Sequence, residues 1–427
     1  MLDQKIYDTY VEILKTELVP AMGCTEPIAL AYAAAKAREV LGAFPDHADA
    51  YCSGNIIKNV KGVKVPNSDG MMGVEAAVVL GMTGGDASRS LEVLESVTKE
   101  DIARTKELLE NKICSCHLEE GVANLYLTVV LKKGEESAEV TIENAHTNIT
   151  RIVKNGAVLF EKEKEAAKKT ADKSLLNMKD IVAFAEEVKL ADVEEVLSRQ
   201  VEYNTAISEE GLRGSWGAEV GRTILESYGD DIKYRAAARA AAGSDARMSG
   251  CALPVIINSG SGNQGMTCSL PVIEYAKELG KSREDMLRAL CISDLIALDQ
   301  KRYIGPLSAY CGAVCAGAGA GAAITWLSGG TQAEIENTVV NTIANVGGII
   351  CDGAKSSCAA KISAAVQAAI LGHQMAMKGR VFGTGEGIVM DTPEDTVKAV
   401  GYVGRVGMKQ TDVEVLNLMI GKADPAL

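Results

Sequence analysis

Two cysteines lie seven residues apart in the stretch Gly347-Gly348-Ile349-Ile350-Cys351-Asp352-Gly353-Ala354-Lys355-Ser356-Ser357-Cys358-Ala359-Ala360-Lys361, which leads into a helical pattern at 359–377. Its small residues allow the backbone to come close to whatever the two sulfurs bind. Thiolates are soft ligands that select zinc, copper(I) or iron–sulfur clusters. Because two thiolates alone do not complete such a site, we expect other cysteines to join Cys351 and Cys358.

Two other segments could supply further sulfurs. The first, Cys311-Gly312-Ala313-Val314-Cys315, is another cysteine pair among glycine and alanine. The second, Pro20-Ala21-Met22-Gly23-Cys24-Thr25-Glu26-Pro27, precedes an Ala-rich run, and proline is favoured in the first helical turn. Cys24 is therefore predicted to lie just before a helix N-terminus, where the helix dipole lowers the pKa of a thiol. This favours a reactive or metal-binding Cys24 over a plain loop residue.

A Gly-rich turn, Asn258-Ser259-Gly260-Ser261-Gly262-Asn263-Gln264-Gly265, follows the apolar run 253–257 and precedes an apparent helix. Successive backbone N–H groups can converge in such a turn and bind an anion. No lysine follows it as in a phosphate loop, and its polar side chains suit a small carboxylate better than a nucleotide. An ordinary Gly-rich turn is the alternative. The predicted substrate-binding residues are Ser261, Gly262, Asn263, Gln264 and Gly265.

Other chemically capable residues are predicted to be structural or exposed. Cys114-Ser115-Cys116-His117 has a metal-like composition but no matching half-site in the sequence. The run 58–64 is expected to form a solvated edge. Isolated histidines are more often structural or exposed than ligands, and arginines in an Ala-rich region are expected at the surface. The residues in these two groups are His47, His146 and His373, and Arg235, Arg239 and Arg247.

Composition limits the classes of function. The 427 residues carry a formal net charge of −13, which argues against a nucleic-acid surface. No charged-then-apolar leader follows Met1, so we expect a cytoplasmic protein whose 11 cysteines are reduced thiols. The uncharged segment 309–327 is long enough to cross a bilayer but is mostly Ala and Gly. We expect it to be a helix buried in the protein and no part of a membrane.

The pattern predicts two domains, an α+β domain at residues 1–190 and a mostly α-helical domain at 191–427. The Lys- and Glu-rich stretch 161–173 lacks an apolar face and marks their approximate boundary. Predicted helices of the first part are 3–17 and 26–41, and predicted strands are 50–57, 125–132, 137–143 and 150–160, with turns at 133–134 and 154–156. Predicted helices of the second part are 192–203, 219–225, 231–242, 272–279, 283–298, 331–344 and 359–377.

The four motifs resemble those of the L-cysteine desulfidase family, which is related to the α and β parts of iron–sulfur L-serine dehydratases. The resemblance covers nearly the whole chain, and the motifs occur in the same order. It implies that 1–190 corresponds to the β part and 191–427 to the α part. It also implies a 4Fe-4S cluster bound by Cys311, Cys351 and Cys358. Cys24 is implied as the fourth ligand or as the catalytic thiol.

The implied chemistry is β-elimination from a small amino acid, with release of sulfide, pyruvate and ammonia from L-cysteine. Three thiolates leave one iron open as a Lewis acid for the leaving group, and sulfur suits iron. Cys24 as thiolate is the predicted base, and Glu26 is the reserve candidate. The three cluster sulfurs should then lie within about 7 Å of one another.

Several alternatives stay open at the level of sequence. An L-serine dehydratase-like deaminase would use the same cysteines, although serine dehydratases space the last two cluster cysteines more widely. A non-enzymatic iron–sulfur or zinc redox protein would not need the polar turn. A pyridoxal-phosphate lyase would need a lysine in a phosphate-binding context, and no convincing one is present. A homodimer is one assembly that the chain could form.

Overall fold

A computed structural model gives the fold of residues 2–162, 171–305 and 308–423. The helices are α1 (Gln4–Glu17), α2 (Thr25–Leu41), α3 (Gly54–Val60), α4 (Val74–Gly84), α5 (Lys99–Glu110), α6 (Met178–Glu187), α7 (Glu194–Arg213), α8 (Val220–Tyr228), α9 (Ile232–Met248), α10 (Gly262–Glu278), α11 (Arg283–Ile304), α12 (Gly312–Leu327), α13 (Gln332–Val346), α14 (Cys358–Ala376), α15 (Pro393–Tyr402) and α16 (Lys409–Met419). The strands are β1 (Pro20–Met22), β2 (His47–Cys52), β3 (Cys114–Leu118), β4 (Tyr126–Lys133), β5 (Glu136–Glu143), β6 (Ile149–Lys154), β7 (Ala157–Glu161) and β8 (Pro254–Ile256).

Six strands form one sheet in the order β3-β2-β4-β5-β6-β7, with β2 and β3 parallel and the other pairs antiparallel. The period of two is clear in β4, where Leu127, Val129 and Leu131 are fully buried. Helices α2 and α4 cover this apolar face. Asn155 and Gly156 both have positive φ, which the tight turn between β6 and β7 requires.

The second part is a set of helices packed around α12. Alanine and glycine make this helix buried along nearly its whole length. A Cβ on Gly319 would overlap the carbonyl oxygen of Ser293 on α11, and one on Gly317 would lie 3.0 Å from the carbonyl oxygen of Ala365 on α14. The small residues therefore allow close helix contact, as predicted. Among the residues described, no helix is long and apolar enough to span a membrane.

The predicted fold class, an α+β part followed by a mostly helical part, is confirmed. The strand predicted at 50–57 is wrong in its second half, because β2 ends at Cys52 and α3 begins at Gly54. Ser53 caps α3 by accepting a hydrogen bond from Ile56 N. Most of the boundary stretch at 161–173 lies outside the described residues.

The two parts exchange elements at their junction. Helix α1 packs in the hydrophobic core of the helical part, and β1 pairs with β8 through Pro20 and Ile256. In return α16 packs against α3, where Leu416 occupies the space beside Gly54. The division at residue 190 stays a prediction. The junction places α2 and α3 next to the cysteine-containing loops of the helical part.

Candidate functional site

A short backbone bridge brings Cys311 and Cys351 together although they are far apart in sequence. Tyr310 and Ile350 form an antiparallel β-bridge. Cys311 N donates to Ile349 O at 3.0 Å, and Cys351 N donates to Ala309 O at 2.6 Å. The side chains of Cys311 and Cys351 therefore start from neighbouring backbone segments.

Cys358 reaches the same region by a tight loop. Gly353 has a φ of +91° and leaves no room for a Cβ against the backbone of Lys58. The loop then returns to α14, whose first residue is Cys358. The Cys358 Sγ lies 3.6 Å from Gly353 O. The close contact at Gly353 therefore holds the loop between Cys351 and Cys358 against α3.

The three thiols lie close enough to influence one another electrostatically. Burial raises the pKa of Cys311 to about 12, and the charges of Cys351 and Cys358 act in the same direction. Burial also raises the pKa of Cys358. The charge of Lys355 lowers this pKa, and the charge of Cys351 raises it. The structure thus brings together the three predicted cluster ligands, while their predicted separation of about 7 Å stays a prediction.

Three thiols are the donor type that iron–sulfur clusters take from proteins. No group of three or more His, Cys, Asp or Glu side chains in the described part of the chain is arranged to hold one metal ion. A cluster binds each thiolate through a different iron, so its ligands need not surround a common point. Cys311, Cys351 and Cys358 are the residues that would hold it.

Two lysine side chains lie near these thiols. Lys301 at the end of α11 is buried, and burial lowers its pKa while Cys315, Cys351 and Cys311 raise it. Lys361 donates to Ile350 O at 2.6 Å and forms an ion pair with Asp352. Positive charge at this position favours the thiolate form that binds metal.

Helix N-termini add to this positive field. Cys24 is the N-cap of α2, Cys311 is the N-cap of α12, and Cys358 is the first residue of α14. Neither N-cap cysteine uses its side chain to cap the helix. The dipoles of three helices therefore favour negative charge in one region of the molecule.

Cys24 lies near Cys358, but not as a ready thiolate, and its catalytic or ligand role stays a prediction. It belongs to a small apolar cluster with Val63 and Met248, against which Cys358 packs. Its Sγ donates to Glu26 Oε2 at 3.0 Å. Burial and the negative charge of Glu26 raise the pKa of Cys24 well above its usual range. The predicted lowering by the helix dipole is therefore wrong, because burial and the neighbouring carboxylate outweigh the dipole.

Glu26 is a buried carboxylate with donors from several elements. Asn59 Nδ2 donates to Oε1 at 3.1 Å, and Thr25 Oγ1 donates to Oε2 at 3.2 Å. His146, from the loop between β5 and β6, places Nε2 at 3.9 Å from Oε1. Burial alone would raise the pKa of Glu26, but His146 and the Cys24 thiol outweigh it and hold the pKa far below its usual range. Glu26 is therefore an ionised proton acceptor inside the protein.

The predicted substrate-binding turn is rigidly held. Ser259 and Gly260 have positive φ, and Asn258 and Ser261 exchange two backbone hydrogen bonds of 3.0 and 3.1 Å. Below the turn, Asn258 Nδ2 donates to Asp294 Oδ1 at 2.9 Å. Burial raises the pKa of Asp294 to about 7. This support positions the N-terminus of α10, which begins directly after Ser261.

The five predicted residues of the turn divide into two groups. Gln264 packs beside Cys311, because a Cβ on Gly312 would lie 2.5 Å from Gln264 Cδ. Its Oε1 is buried without a hydrogen-bond partner among the described residues. Gly265 instead packs against the carbonyl oxygen of Ile256, where any side chain would overlap it. Gln264 thus lies beside the Cys311 segment and Gly262 and Asn263 contact Arg247, whereas Gly265 serves packing.

Three residues at the site were predicted to be isolated or exposed. His146 instead lies beside Glu26, Lys58 is buried in an ion pair with Asp412, and Arg247 is 3% exposed at the end of α9. The small residues of α9 that precede Arg247 are a sequence signal for a buried helix, so they could have indicated a buried arginine. Nothing local indicated the positions of His146 and Lys58, since their partners lie far along the chain.

Arg247 lies between the turn and Cys24. Its Nη1 donates to Asn263 Oδ1 at 3.2 Å. A Cβ on Gly262 would lie 2.5 Å from Arg247 Nε, so glycine is needed there for the guanidinium to approach. The charge of Arg247 acts to lower the pKa of Cys24.

The chain is similar to one family model and, over nearly its whole length, to several known proteins. The family model of the serine dehydratase alpha chain matches residues 88–417. The chain is 53% identical over 416 residues to a UPF0597 protein of Lachnoclostridium phytofermentans, covering 97% of this chain and 100% of that protein. It is 50% identical over 420 residues to a UPF0597 protein of Desulfitobacterium hafniense, covering 98% of each chain. A UPF0597 protein of Finegoldia magna is 48% identical over 415 residues, covering 97% of this chain and 99% of that protein.

Proposed function

Because this chain belongs to the serine dehydratase alpha chain family, we propose that it is a lyase that eliminates sulfide from L-cysteine with the help of a 4Fe-4S cluster. Membership of the family points to lyase-type chemistry on a small molecule. The observation that carries the finer proposal is the meeting of Cys311, Cys351 and Cys358 beside Cys24 and the 261–264 turn.

Cys311, Cys351 and Cys358 would hold the cluster, which would supply a Lewis acid toward the leaving group of the substrate. The chain supports such a cluster with Lys301, Lys361 and the N-termini of α12 and α14. These groups offset the negative charge of three thiolates in a partly buried place.

Cys24 and Glu26 together can remove the α-proton. Glu26 is ionised and takes the proton from the α-carbon, while the Cys24 thiol, whose raised pKa keeps it protonated, stays hydrogen-bonded to Oε2 at 3.0 Å and orients the carboxylate. The electron pair of the broken Cα–H bond forms the Cα–Cβ double bond, and the Cβ–S bond breaks to release hydrosulfide. His146 Nε2 lies 3.9 Å from Oε1 of the same carboxylate. The aminoacrylate product takes up water and yields pyruvate and ammonia.

The turn at 261–264 is proposed to hold the substrate. Its backbone N–H groups lie at the N-terminus of α10, and Gln264 of the same turn meets Gly312. The unpartnered Gln264 Oε1 can accept a hydrogen bond from the substrate amino group. A substrate held there has its β-substituent near Cys311, where the cluster would bind.

The direct test is anaerobic reconstitution with iron and sulfide, followed by measurement of pyruvate and sulfide released from L-cysteine. We expect L-cysteine to exceed L-serine by at least about tenfold in kcat/KM, about 1.4 kcal/mol at the transition state, because hydroxide is the poorer leaving group. Cys351→Ser should lose iron and activity together. Cys24→Ala should retain much of the iron and lose most activity.

Membership of the serine dehydratase alpha chain family favours one alternative, the deamination of L-serine. Equal or better turnover of L-serine at unchanged iron content would replace the desulfidase proposal with this one. A redox protein that uses the same cysteines would release neither pyruvate nor sulfide over many turnovers. Measuring both products against iron content separates the three functions.

A further inference from the structure

Among the described residues, Arg247 is a buried cation without a counter-ion. It is only 3% exposed, yet it forms no ion pair with any carboxylate in the described ranges. The hydrogen bond that it forms within this part of the chain, to Asn263, uses Nη1, and its Nε is buried there without a partner. Leaving a charge buried and unpaired is costly, so a buried guanidinium that the described residues leave unpaired is suited to a ligand anion.

The surroundings of Arg247 show what kind of partner this would be. Gly262, the first residue of α10, lies against Arg247 Nε, so the guanidinium and the helix N-terminus meet at one place. Both favour an anion, and a guanidinium binds a planar carboxylate through two parallel N–H bonds. Cys24 lies within electrostatic range on the other side.

We propose that Arg247 binds the α-carboxylate of the substrate and restricts the site to amino acids that carry one. This inference rests on the proposed function. The carboxylate replaces the missing counter-ion, while the N-terminus of α10 provides backbone donors to the same group. The requirement for Gly262 follows, because any side chain there would displace the guanidinium. Amines that lack the carboxylate should therefore bind poorly even when they carry a thiol.

The test compares L-cysteine with cysteamine, which lacks the carboxylate. In reduced, cluster-free protein, calorimetric titration should show L-cysteine bound and cysteamine bound at least about 100-fold more weakly, as expected when a charge-assisted pair is lost. Arg247→Met should weaken L-cysteine by about 100-fold and leave cysteamine unchanged, and Arg247→Lys should recover part of the loss. After reconstitution with iron and sulfide, the loss of about 100-fold in Arg247→Met should appear mainly as a higher KM for L-cysteine.

Thermal unfolding without ligand separates binding from a structural role. If Arg247 serves the substrate, Arg247→Met removes an unpaired buried charge, and the ligand-free protein should melt at the same or a higher temperature. Arg239→Met is the matched control on the same helix. Arg239 Nε lies 3.8 Å from Glu274 Oε1, about three helical turns along α10 from the 261–264 turn. Arg239→Met should therefore bind L-cysteine like the wild type.

Three results would overturn the proposal: equal binding of cysteamine and L-cysteine by the wild type, unchanged L-cysteine binding by Arg247→Met, or no binding of L-cysteine by the cluster-free wild type. A failure of the proposed function gives a different pattern. In that case the carboxylate-dependent binding and its loss in Arg247→Met persist, while the reconstituted wild type releases no sulfide.

Discussion

Glu26 shows at the scale of one residue how the site keeps a charge inside the protein. Its carboxylate receives hydrogen bonds from Cys24, Thr25 and Asn59 and lies near His146. Only the first two neighbours are close in sequence. The sequence could therefore place Glu26 at a helix N-terminus, but it could not show the donors that keep it ionised.

The pH dependence of stability tests this arrangement. Because the pKa of Glu26 is lowered by folding, its stabilising effect is fully present above the pKa of an unfolded glutamate, about 4.3, and is lost as the pH falls from there through the folded pKa. We expect Glu26→Gln to lower the free energy of unfolding by about 1.5–3 kcal/mol at neutral pH. The difference should shrink at about pH 3.5. Urea denaturation at the two pH values measures both quantities.

Glu39→Gln is a suitable control, since Glu39 lies on the same helix, is 59% exposed and pairs only with Lys36 among the described residues. An exposed pair of this kind contributes less than about 1 kcal/mol. A Glu26→Gln difference that stays constant with pH would show that the residue acts through packing and not through its charge.

At the scale of elements, the sequence predicted helices and strands reliably where a periodic segment is long and one of its faces is buried. The hairpin of β4 and β5 and helices α1, α2 and α14 lie close to their predicted bounds. The patterns failed where glycines continue a helix. The prediction began α10 at residue 272, but the helix starts at Gly262 because its first turn packs tightly against β8. Only the tertiary contact distinguishes this glycine-rich turn of helix from a loop.

Gly319 tests the close packing of α11 and α12. A Cβ there would overlap the backbone carbonyl oxygen of Ser293, which cannot move without shifting α11. We expect Gly319→Ala to lower the free energy of unfolding by about 1–3 kcal/mol, although alanine is the better helix former. Gly348→Ala is the control, because no atom of a described residue other than its chain neighbours lies within 4 Å of its Cβ position. A stabilised Gly319→Ala protein would mean that α11 and α12 are further apart than described.

At the scale of the whole molecule, the site is assembled from both ends of the chain. The cysteine loop rests on α3 through Gly353 and the backbone of Lys58, and α16 also packs on α3. The side chain of Lys58 is only 3% exposed and forms an ion pair with Asp412 of α16. No sequence motif indicated this pairing, since it depends on how the last helix returns to the first part of the molecule.

Breaking this pair should loosen the site without changing its chemistry. Asp412→Asn leaves Lys58 buried without a counter-charge, and we expect a loss of about 2–3 kcal/mol in the free energy of unfolding, since Asp412 itself is partly exposed. Because α3 supports the cysteine loop, the reconstituted variant should also lose iron to a chelator faster than the wild type, while its initial kcat is unchanged. Asp395→Asn, which breaks the exposed pair with Lys398, should change neither stability nor iron release measurably. If Asp412→Asn releases iron at the wild-type rate despite its lower stability, α16 supports the fold alone and has no part in holding the cysteine loop.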